Sequence, residues 1–259
     1  MPPSVNCYYV KNLKIYKGQR NTLFTVNGEK KLGKILYPNA TLIQNLPNIA
    51  YDLRLFFQET ETRTQKNITN YIKNNLLFKD LLVLDSKVNY GSFFTYEREL
   101  DNSDIIDIHG YWDHPSFQRG HSWDMDYYTI KNTPMIKSNT FGTFNTISKA
   151  KWYNKPFIVS YPLPNEHSHE KFSMIGSWAA YHDYNAIYQF SYDQIKDEEY
   201  ISGYFMASNP IDFTIAPYIT LAFRRNYISK SKNYIRVKLT KGFVLERMKE
   251  KNYNMSQFL

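Results

Sequence analysis

A chain of 259 residues with 42% hydrophobic content is long enough to bury a sizeable core, which argues against a disordered chain and for one large domain or two small ones. Its formal charge of +8 could serve an acidic partner, but the basic residues are scattered and their one dense block, Arg224 and Arg225 through Lys241, comes late in the chain, so nucleic acid is not an expected partner. The single cysteine, Cys7, excludes an internal disulfide and a cysteine-type structural zinc site.

The first residues, Met1-Pro2-Pro3-Ser4-Val5-Asn6, lack the basic-then-apolar pattern of a signal peptide, so a cytoplasmic chain is the default expectation. No apolar run approaches the ~20 residues of a membrane span, and no membrane partner is expected. Residues 1–48 are polar and punctuated by Gly18, Gly28, Gly33, Pro38 and Pro47, an irregular segment with a short strand such as Leu23-Phe24-Thr25-Val26. From 48 to about 77, Ile49, Leu53, Phe56, Phe57, Ile68, Tyr71, Ile72 and Leu76 recur mostly at three- and four-residue steps and predict a long amphipathic helix.

Four continuous apolar runs follow: Leu81-Leu82-Val83-Leu84, Ile105-Ile106-Asp107-Ile108, Phe157-Ile158-Val159-Ser160 and Ala186-Ile187-Tyr188-Gln189-Phe190. Their length and lack of alternation predict parallel strands covered on both faces. Helices are expected over 139–151 and 171–184, with a last one over 210–225. This order is the α/β alternation of a parallel sheet or barrel. Residues 234–239 alternate like a strand and 244–251 suit a short helix. The expected organisation is an irregular segment over 1–48, an α/β body over 49–228 and an extension over 229–259.

The densest chemical cluster follows the second run: Asp107-Ile108-His109-Gly110-Tyr111-Trp112-Asp113-His114-Pro115, with Trp123-Asp124 downstream. Functional groups of parallel α/β folds gather where strands end at their C-terminal edge. A sugar ring offers hydroxyls to hydrogen-bond and an apolar face to stack, which suits an aromatic beside His and Asp. The bland alternative is that Trp112 and His114-Pro115 only pack and turn a loop. Asp107-Ile108-His109-Gly110 also matches the Asp-x-His-Gly opening of metallophosphoesterases, whose later Gly-Asp-x-x-Asp-Arg-Gly and Gly-Asn-His-Glu segments do not occur here.

Taken in order, Asp107-x-His109-x-Tyr111-Trp112-x-His114-Pro115, Trp123-Asp124, Ile130-Lys131-Asn132-Thr133-Pro134-Met135 and Asn154-Lys155-Pro156-Phe157-Ile158-Val159-Ser160 resemble the second half of a cellulase-like (β/α)8-barrel glycoside hydrolase. Ala179-Ala180-Tyr181 with Ala186 to Tyr192, and Asn209-Pro210 with Leu221-Ala222-Phe223-Arg224-Arg225, continue the likeness through the last strand and closing helix, so that it covers roughly residues 50–228. The resemblance implies a partial (β/α) TIM-type barrel of about its last four βα units, a carbohydrate substrate or ligand, no cofactor and no essential metal, since glycosidic hydrolysis needs two carboxylates and water. It implies substrate contacts for His109, Tyr111, Trp112, His114, Trp123 and Tyr192. The chain departs from the family pattern in two places. Too little sequence precedes Leu81 for four more strands, so the acid/base half is expected to be absent, either supplied by a separate chain or lost. The nucleophile that family members carry after the seventh strand, as Ser-Glu, is replaced by Ser160-Tyr161, with Glu166 and Glu170 close by and Glu166 the candidate for a displaced nucleophile. The expectation is a glycoside hydrolase-like protein with incomplete or impaired catalysis, the alternative being a non-catalytic carbohydrate-binding relative.

Overall fold

A computed structural model describes residues 47–87, 102–122, 124, 127–139, 141–161, 168–189, 192, 209–247 and 249. These fall into two compact units, divided at Thr60/Glu61 and at Lys238/Leu239. Among them no helix is long and apolar enough to cross a membrane.

The expected long helix is present as α1 (Pro47–Asn70), which runs on into a π-helical turn, Tyr71–Asn75. Its first fourteen residues belong to the smaller unit together with α5 (Lys241–Arg247). In that unit the Thr240 hydroxyl oxygen accepts the Phe243 N–H at the start of α5, an N-cap that satisfies one of the helix's orphan donors.

The larger unit is built on four parallel strands: β1 (Leu84–Lys87), β2 (Ile105–His109), β5 (Phe157–Tyr161) and β6 (Ala186–Gln189). They lie side by side in that order, every neighbouring pair parallel. The short strands β3 (Ser116–Phe117) and β4 (Tyr128–Thr129) form a separate antiparallel pair inside the connection that leaves β2. The helices α2 (Gly142–Lys149), α3 (Ser168–Tyr181) and α4 (Pro210–Arg224) follow β2, β5 and β6. The fold is therefore α/β with a parallel sheet. Closure into a barrel is not seen: among the described residues β1 and β6 each have a strand neighbour on one side.

The register sorts the strand residues into two faces, because side chains alternate along a strand and directly paired residues share a side. Ile106 pairs with Phe157 and Ile108 with Val159, and all four are fully buried. The Phe157 ring meets Tyr184 edge-on at 4.9 Å, and α2 and α3 contribute buried Phe144, Ile147, Ile175 and Ala179. Each of the buried Ile, Val and Phe side chains is worth ~1.5–3 kcal/mol on burial. The other face carries Asp107 with Ile158 and His109 with Ser160 and Tyr188. It is the polar face of the sheet.

α3 and α4 pack closely because Gly176 has no side chain: a Cβ there would stand 2.0 Å from Cγ2 of Ile219. Between them, the buried Lys171 ammonium donates to the Asp212 carboxylate. Burial pulls the Lys171 pKa down, and the opposing charge and hydrogen bond of Asp212 act against that fall.

Two expectations are corrected. The first strand begins at Leu84 rather than at Leu81; Leu81 and Leu82 are exposed, and the strand's entry is set instead by Asp104, whose carboxylate accepts the Val83 N–H at 2.8 Å and whose own N–H donates to the Val83 carbonyl at 2.7 Å. Residues 234–239 are not a strand. There the Arg236 guanidinium lies over the rings of Tyr153, at 3.5 Å from the centroid, and Tyr234, at 4.6 Å, so cation–π stacking takes the place of a ladder.

Candidate functional site at the C-terminal edge of the sheet

β2 and β5 end next to each other, with His109 paired to Ser160. Two register pairs deeper, on the same face, lies Asp107, 2% exposed. Ser160 Oγ donates to Asp107 Oδ1 at 2.9 Å, and His109 Nε2 is 3.3 Å from Asp107 Oδ2. With both oxygens engaged, this carboxylate orients the hydroxyl and the imidazole at the mouth of the sheet. A buried carboxylate without such donors would carry a cost of several kcal/mol.

The chain then turns at Gly110, where a Cβ would meet Ile147 Cδ1 at 2.6 Å, so the backbone lies tight against α2. This approach brings the Tyr111 carbonyl to the Thr143 hydroxyl, which donates to it. The Tyr111 and His114 rings lie 4.8 Å apart, tilted by 49°. His114 Nδ1 sits 2.8 Å from the Pro115 carbonyl; a carbonyl only accepts, so Nδ1 carries the proton. Tyr111 and His114 thus form an aromatic pair beside the Asp107–His109–Ser160 cluster in sequence and on the same connection.

Trp112 and Asp113 do different work. The Trp112 indole N–H donates to the Thr133 carbonyl at 2.8 Å, and its ring packs 5.5 Å from Phe144. Asp113 accepts the Thr133 N–H at 2.5 Å, and Glu170 on α3 accepts the Met135 N–H at 2.7 Å. These bonds pin the returning end of the loop after β2. Further out, the His121 ring stacks on Tyr127 at 4.0 Å and its Nδ1 lies 3.3 Å from Asp124 Oδ2.

Of the residues expected at a sugar site, His109 ends β2 and Tyr111, Trp112 and His114 lie on the connection that leaves it; the Tyr111 and His114 rings pair, while Trp112 packs on Phe144. Tyr192 lies three residues past the end of β6; it is exposed, and its ring is 6.2 Å from that of Phe213 of α4. Trp123 and Glu166 lie outside the described residues. Asp107 stood at the head of the cluster read from the sequence; Ser160 stood outside it, and its signal is its strand position opposite His109, which only the register reveals. Among the described residues no group of three or more His, Cys, Asp or Glu could hold a metal ion. No family model, curated protein or solved structure matches the chain.

Proposed function

We propose that this chain carries a glycoside hydrolase-like, carbohydrate-binding face at the C-terminal edge of its parallel sheet, and that it does not hydrolyse glycosides on its own. The observation that carries the reading is the Asp107–His109–Ser160 cluster on the polar face of adjacent parallel strands, followed at once by the Tyr111–His114 ring pair. Hydroxyl, imidazole and carboxylate answer sugar hydroxyls, and aromatic rings answer the apolar face of a pyranose. Strands laid down in chain order without reversal also fit an arc of a (β/α) barrel better than a doubly wound sheet, in which the order reverses at a switch point.

Catalysis by double displacement or inversion requires two carboxylates facing the scissile bond. The carboxylates of Asp107 and Asp113 are held as hydrogen-bond acceptors by the protein. A positioned pair of catalytic carboxylates is therefore not part of this reading.

Thermal unfolding with a panel of mono- and oligosaccharides tests the reading, since a ligand that binds the native state raises its melting temperature. The expected result is a rise with at least one sugar that is lost in His109→Ala. No response to any of the panel would overturn it. Hydrolysis of aryl glycosides by the purified chain, abolished in Glu166→Gln, would overturn the claim that it is catalytically incomplete.

A further inference from the structure

We propose that the N-terminal edge of the parallel sheet, the end opposite His109, carries a binding surface for single-stranded nucleic acid, built on the basic segment 224–238. The inference goes beyond the carbohydrate reading and uses none of its residues. Arg224, Arg225, Lys230, Lys232, Arg236 and Lys238 follow one another in that segment, and no Asp or Glu occurs between Asp212 and Glu246. In the sequence this block stands apart from the other cations, but the fold adds to it. Lys151, on the connection that enters β5, donates to the His182 and Asp183 carbonyls at 2.7 and 2.6 Å, and Lys230 lies 3.4 Å from the Asp183 carboxylate. The Ser231 N–H donates to the Tyr181 carbonyl at 2.8 Å. These bonds fix the basic segment against the chain that enters β5 and β6, and Asp183 offsets one charge of the group.

Flat rings stand among the cations. The Arg236 guanidinium lies over Tyr153 and Tyr234, which are nevertheless 68% and 69% exposed, and Tyr227 in the same segment is 70% exposed. Ammonium and guanidinium groups neutralise phosphates, and an exposed ring stacks on a base whatever its identity. The cation–π contacts hold the guanidinium beside the rings in advance, which lowers the ordering cost of binding. A duplex keeps its bases stacked inside, and a phospholipid headgroup has no flat face to stack. Rings and cations together therefore favour the single strand.

The test is fluorescence anisotropy of a labelled oligothymidine titrated with the full-length chain. Binding is expected at about 50 mM salt, and a footprint of about four neutralised phosphates predicts that it weakens by about 50-fold at about 200 mM. Lys232→Glu with Lys238→Glu, both exposed side chains, should weaken it by about tenfold or more, while His109→Ala should leave it unchanged. Tyr153→Ala with Tyr234→Ala should cost about tenfold, the equivalent of one lost stack, and should leave binding of inorganic polyphosphate in place. A thermal melt of each variant checks that it is folded. No binding by the parent at the lower salt, full affinity in Lys232→Glu with Lys238→Glu, or a duplex bound as tightly as the single strand would each overturn the proposal. So would equal losses of oligothymidine and polyphosphate in the tyrosine variant, or binding to phosphatidylserine vesicles without binding to the oligonucleotide.

Discussion

Ser160 reaches across the sheet to Asp107, its hydroxyl 2.9 Å from Oδ1 although the two residues are 53 apart in the chain. This bond ties the end of β5 to β2 and supplies one of the two donors that a nearly inaccessible carboxylate requires. Ser160→Ala should leave Asp107 short of a partner and destabilise the chain by about 1–3 kcal/mol, whereas Ser160→Thr, which keeps the hydroxyl, should cost less. Urea unfolding of the two variants measures the difference.

Lys171 and Asp212 are both fully inaccessible. Removing one member strands the other charge, so Lys171→Met and Asp212→Asn should each cost about 3–5 kcal/mol, while Lys171→Met with Asp212→Leu should recover much of the loss because no charge remains buried. Equal losses in the single and double variants would show that the pair contributes shape rather than charge compensation.

Gly176 marks the closest approach of α3 and α4. Gly176→Ala should force the helices apart and cost about 1–3 kcal/mol. Ile219→Ala added to it should return part of that stability, since it removes the methyl that the new Cβ would strike. Chemical denaturation of the single and double variants tests the coupling.

The His182 ring stacks on Trp178 at 4.5 Å, and Lys151 donates to the carbonyls of His182 and Asp183 at 2.7 and 2.6 Å. Burial, then the nearby Lys151 charge, hold the His182 pKa below its ordinary 6.5. Above that value the ring is neutral in both the folded and unfolded states, and its contribution to stability is fully present. As pH falls below 6.5 the unfolded chain takes the proton first, so stability is lost until the folded ring also titrates. An NMR titration should place the His182 midpoint below 6.5 and move it upward in Lys151→Met.

The continuous apolar runs at 105–108, 157–160 and 186–190 were legible as parallel strands; the first two are mostly buried, as the lack of alternation implies, whereas Tyr188 in the third is exposed. The run at 81–84 misled: its leucines are apolar but exposed, and the hydrogen bonds of Asp104 decide where the strand starts. The β3–β4 pair could not be read, since two residues carry no periodicity. At 234–239 alternation was real but reported aromatic and basic side chains stacking, not a ladder. That a strand ends at His109 and gives way to a connection was legible from the apolar run before it. The role of Trp112 was not: its indole N–H holds Thr133, a long-range partner that composition cannot show.

Asn209 begins α4 by accepting the N–H groups of Ile211 and Asp212 on its side-chain oxygen, with Pro210 in the first turn. Successive helical residues are turned by about 100°, so starting α4 one residue early or late would swing Asp212 out of line with Lys171 and leave an ammonium sealed in an apolar seam. The cap therefore acts as an indexing pin: it sets the phase of the whole helix, and with it the side of α4 that faces outward.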